Sequence, residues 1–111
     1  MVRESSESAW KRFRQLQPIA LERFCQRVLS EVGRRVAETG KNSHEQYLAL
    51  FELIERRDKE LAAAFNDPRR STALLQLARI QTHKRLTDEE LSRFSTEARG
   101  AVQVFLDGWR T

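Results

Sequence analysis

The chain has 111 residues, with 20 Lys and Arg against 16 Asp and Glu, a formal charge of +4, and 40% hydrophobic residues. That length suits one domain around one core, and the composition excludes collagen-like, mucin-like and strongly disordered chains. One cysteine, Cys25, excludes an internal disulfide and any multi-cysteine zinc site, and points to a reducing, cytoplasmic compartment. No apolar run approaches the roughly 18 residues of a membrane span, and the polar start MVRESSES lacks a signal-peptide core. No membrane span is expected.

The apolar periodicity is helical from end to end, so the expected fold is all-α, a single-domain bundle of about five helices. Residues 1–7 read as a flexible N-terminus and 8–111 as one helical domain. A first helix over about 8–38 carries Trp10, Phe13, Leu21, Phe24, Cys25, Val28, Val32 and Val36 on one stripe. Pro18 either kinks it or divides it into two collinear helices, and Gly40 supplies a left-handed stop. A second helix over 44–65 is expected to be capped by Ser43 with Gln46 reaching back. Its buried face is Tyr47, Leu48, Phe51, Ile54, Leu61, Ala62 and Phe65.

Asn66-Asp67-Pro68 ends that helix and starts a third over 68–83, with Asp67 as cap and Pro68 in the first turn. Leu74, Leu75, Leu77 and Ala78 face its core. Thr87 and Glu90 form a capping box for a short helix over 88–94, with Leu86 and Leu91 at hydrophobic-staple spacing. Ser95 is the candidate cap of a last helix over 96–107 that buries Ala98, Val102 and Phe105.

Charge alternates along the chain: the first and third helices are basic, the second and the C-terminal pair acidic. Arg12, Arg23, Arg27 and Arg34 project within roughly 60° of one another, a ridge suited to phosphate contacts. Glu31 and Glu38, four residues after Arg27 and Arg34, suit ordinary intrahelical pairs with them. Arg69, Arg70, Arg79, Lys84 and Arg85 make a second basic cluster with fewer acidic neighbours. Asp58 projects into the middle of the second helix's apolar stripe. A buried ion pair across the bundle, or an exposed stretch of helix, would accommodate it.

Specific chemistry is scarce. There is no nucleophile elbow, no phosphate loop, no dinucleotide fingerprint and no His-x₃-His zinc pair. Cys25 reads as a core residue, and His44 and His83 as surface residues. No cofactor, metal or catalytic residue is expected. A helix-turn-helix unit can be drawn over 87–107, with Ser95 at the corner and Glu97, Arg99 and Gln103 toward base edges. That segment is net acidic, the wrong sign for DNA, and the turn lacks the usual small residue or glycine. Trp10, Phe13 and Trp109 are apolar ends that five short helices need not cover. The resulting expectation is a small non-catalytic module that binds a protein partner or itself as a homodimer. The alternative is a nucleic-acid-binding regulator using 87–107, with basic contacts from 69–85.

Overall fold

The computed structural model describes residues 2–110; Met1 and Thr111 lie outside them. Five α-helices account for most of that range: α1 (Val2–Ala37), α2 (Ser43–Phe65), α3 (Ala73–Thr82), α4 (Asp88–Leu91) and α5 (Thr96–Arg110). A 3-10 turn, Arg70–Thr72, precedes α3. The fold is all-α, as the periodicity predicts.

α1 begins at Val2, ahead of the expected start at residue 8. Within it, Ala9 is buried and Glu7 pairs with Arg70 at 2.8 Å. The helix is also unbroken through Pro18. Pro18 itself is exposed, but Leu16 and Ala20 on either side of it are buried. Next to it, Gln17 Nε2 donates to the Phe65 carbonyl at 3.2 Å. Packing on both sides outweighs the missing backbone hydrogen bond.

The cap of α2 is Asn42 rather than Ser43. Its side-chain oxygen accepts from Glu45 N at 2.8 Å, and Glu45 reaches back to the Asn42 N–H. Gln46 is used differently from the expected cap: its Nε2 donates to Val36 O at 2.7 Å, satisfying a carbonyl in the last turn of α1. Gly40, at φ +91, makes the reversal between the two helices.

The third helix starts five residues later than expected. Asp67 has φ 53, whereas an N-cap needs extended backbone, so it cannot cap. It pairs instead with Arg69 at 2.7 Å. The Thr87–Glu90 capping box is present as predicted, and Leu86 is buried with Leu91 packed on the core. α4 is a single turn, however. Residues beyond Leu91 tighten into i→i−3 bonds, Arg93 N to Glu90 O and Phe94 N to Leu91 O, while Phe94 turns into the core. Ser95 caps α5 through Ala98 N at 3.1 Å.

The core lies at one end of the molecule. Ala9, Phe13, Leu16, Ala20 and Phe24 of α1 pack with Ala64 and Phe65 of α2, Leu77 and Ile80 of α3, and Ala98 and Val102 of α5. Beyond Phe24 the antiparallel hairpin continues without a third helix over it. This arm makes the molecule long, 60 × 29 × 24 Å, with a Cα radius of gyration of 17.0 Å. A compact chain of this length has a radius of about 13 Å.

Candidate functional site

The arm has two dissimilar sides, and the difference arises on α2. The face of α2 that meets α1 is marked by Gln46 on the α1 carbonyls, Leu53 with 0% exposure, and Arg57 on Glu31. The apolar stripe of Tyr47, Leu48, Phe51 and Ile54 is centred roughly 120° away around the helix. These residues are 66%, 44%, 56% and 50% exposed. Leu29 and Val36 of α1 are exposed too, and Cys25, Leu29, Ile54 and Leu61 share one shallow groove between the helices. The expected burial of Tyr47 to Ile54 and of Val36 is thus corrected. Their stripe is real, but no element of the fold covers it.

Asp58 follows from the same rotation. It is exposed at the edge of that groove and makes no buried ion pair. An exposed stretch of helix leaves its carboxylate in water, which removes the desolvation cost that demands a partner.

The opposite side of the arm is polar. Arg57 forms a bidentate pair with Glu31, both contacts 3.0 Å, and a second with Glu60 at 2.7 and 2.9 Å. This triad holds the Glu31 carboxyl below its usual range, chiefly through the hydrogen bonds from Arg57. Glu38 pairs with Arg35 and Lys41. Both acids that the sequence spacing assigns to Arg27 and Arg34 therefore go elsewhere. Arg27 and Arg34 meet Lys84 and Arg85 across a half-open cleft of about 390 Å³, whose wall includes Glu31, Arg57, Glu60 and His83.

The remaining members of the two basic clusters lie outside this cleft. Arg23 donates to both oxygens of Glu90, at 2.6 and 3.0 Å, and to Arg85 O at 3.0 Å. Together with the Thr87 backbone N–H, Arg23 holds the Glu90 carboxyl down at about 2. Arg69 and Arg70 are paired with Asp67 and Glu7. Arg12 is exposed nearer the N-terminus, and Arg79 donates to Ala63 O. The nine residues of the two clusters do not form one continuous ridge.

The aromatic ends divide. Phe13 is 1% exposed and belongs to the core, so it is no interface residue. Trp10 is half-buried, stacks on Phe13 and carries Arg14 over its ring at 5.9 Å. Trp109 is exposed and stacks on Phe105. In the segment drawn as helix-turn-helix, Glu97, Arg99 and Gln103 are all exposed on α5, with Gln103 donating to Asp107 at 2.8 Å. The four-residue α4 is only one turn long. Arg99, Gln103 and Trp109 border a second cleft of about 560 Å³ against α3. Gln81 lines it too; its buried side-chain oxygen makes no hydrogen bond, and nothing in the sequence singles this residue out.

Among the described residues no group of His, Cys, Asp and Glu is placed to hold a metal ion, and no helix is long and apolar enough to cross a membrane. Compared with known proteins, the chain matches no family model, no curated protein and no solved structure.

Proposed function

We propose that this chain is a non-catalytic protein-binding module that pairs with a second copy of itself through the apolar side of the α1–α2 arm. The observation that carries the reading is the uncovered stripe of Tyr47, Leu48, Phe51 and Ile54 beside Leu29 and Val36. With about 150–250 Å² for a whole aromatic side chain, these six residues expose roughly 600 Å². A patch of that size is at the upper limit for a monomer. Two such patches face to face bury about 1,200 Å², the threshold of a standard interface.

Area favours a second copy over an unrelated helix, because the patch matches itself. A twofold axis that brings two patches face to face sets the same six residues against their counterparts. The product is a four-helix bundle made of two hairpins, which supplies the layer each arm lacks.

The test is sedimentation equilibrium of the full chain and of the Phe51→Glu and Leu29→Glu variants. The wild type is expected to be a dimer at micromolar concentration. Both variants are expected to be monomers with unchanged helical circular dichroism. A wild type that stays monomeric at high micromolar concentration overturns the reading.

A further inference from the structure

The cleft on the other side of the arm is independent of the apolar face: on α1, Arg27 and Arg34 project roughly 150° around the helix from Leu29 and Val36. Three separate parts of the chain build it, namely the second half of α1, the second half of α2 and the turn after α3. We propose that this cleft is a binding site for a small anion bearing a diphosphate group, held by Arg27, Arg34, Lys84 and Arg85.

Charge balance is the first support. Five cations line the cleft, against the two carboxylates of Glu31 and Glu60. Both carboxylates are engaged by Arg57, and neither Arg27, Arg34 nor Lys84 has an ion-pair partner among the described residues. The lining carries a net charge of +3, and a diphosphate brings about the same charge of opposite sign. Guanidinium forks also match phosphate oxygens bidentately, which favours phosphate over a halide or a single carboxylate.

Backbone geometry is the second support. Lys84 has φ 53, an arrangement that lysine adopts at a cost and that glycine or asparagine more often fills. The turn thereby brings Lys84 and Arg85 to the same cleft wall. Arg85 is half-buried and anchored through its Nε–H to the His83 carbonyl. Burial lowers its hold on a proton, and Arg27 and Arg23 nearby lower it further. Shape is the third: cations converging on a 390 Å³ concavity suit a compact ligand, whereas a duplex backbone needs a ridge. Arg23, Arg69 and Arg70, which would extend such a ridge, are paired with acids.

His83 is a built-in reporter. Burial lowers its pKa, Arg85, Arg57 and Arg27 lower it further, and Glu60 opposes them; its ring also meets Phe24 edge-on at 5.2 Å. A bound anion offsets those cations and raises the His83 pKa, while exposed His44 serves as the internal control. The experiment titrates the full chain with pyrophosphate and with ADP at 50 mM salt, by calorimetry and by histidine NMR. Saturable binding is expected with both probes, with an upward shift of His83 alone; equal affinities mean that the diphosphate is what is read, and tighter ADP binding means an ester of it. Arg34→Gln is expected to weaken binding about tenfold, and Arg12→Gln, which removes the same charge elsewhere, to leave it unchanged. No saturable binding, equal weakening by Arg12→Gln, or binding of random duplex DNA without pyrophosphate overturns the proposal.

Discussion

Glu90 shows how one side chain joins distant parts of this chain. It is only 9% exposed, closes the capping box of α4 through the Thr87 N–H, and accepts both guanidinium contacts of Arg23 on α1. Its carboxyl is held down from an ordinary 4.5 to about 2. A depressed folded-state value means stability that is fully present above the unfolded value and lost as pH falls through the folded one. Denaturant unfolding is therefore expected to show stability declining from about pH 4.5 toward pH 2. Glu31 adds a loss in the same direction. Glu90→Gln should cost about 1–2 kcal/mol at pH 7 and flatten that acid limb, the magnitude being limited because the Arg23 side chain is 38% exposed. Lys84 carries the opposite prediction. With φ 53 it pays the left-handed cost, so Lys84→Gly is expected to raise stability by up to about 1 kcal/mol in the same assay. That variant should gain stability while it loses pyrophosphate affinity.

Pro18 sets the terms for the long helix. It removes one backbone donor from the interior of α1, yet the helix runs on because Leu16, Ala20 and Phe24 are clamped in the core. Pro18→Ala restores that donor at an exposed position and gives up only the stiffness proline lends the unfolded chain. Stability is expected to rise by about 1–3 kcal/mol, read from the urea midpoint. On α2 the two faces separate by mutation. Leu53→Ala, which empties a fully buried site against α1, should cost about 2–4 kcal/mol even in a monomeric background. Such features were unequally legible in the sequence. Helix type, the Thr87–Glu90 box and the Ser95 cap were readable because their signals lie within four residues of one another. The ion-pair partners of Glu31 and Glu90 are 26 and 67 residues away, whereas local spacing points to Arg27 for the first and only to the Thr87 capping box for the second. The stripe of Tyr47 to Ile54 is legible in the sequence, but its exposure is not. Periodicity reports that a helix has an apolar side, and says nothing of whether the same chain covers it.

At the scale of the molecule, a core at one end and a two-helix arm at the other divide stability unevenly. The core end has α3 and α5 stacked on the hairpin, while the arm beyond Phe24 rests on Leu53 and half-buried neighbours such as Val28, Val32 and Leu50. A hairpin with so little buried apolar area opens at low free energy, so its amides should exchange with solvent well before those of Leu77 or Ile80. Self-association changes this by supplying the missing layer. If two copies close over Phe51 and Ile54, unfolding and dissociation are linked, and each tenfold rise in protein concentration adds about 1.4 kcal/mol per dimer. The wild type is therefore expected to melt at a temperature that climbs with concentration, and arm amides should gain protection over the same range. In Phe51→Glu both dependences should vanish, and small-angle scattering should return an elongated monomer near the 17.0 Å Cα radius. A melting temperature independent of concentration in both proteins, with the arm exchanging fast throughout, would mean that the exposed stripe is left bare in solution and that its partner is a different chain.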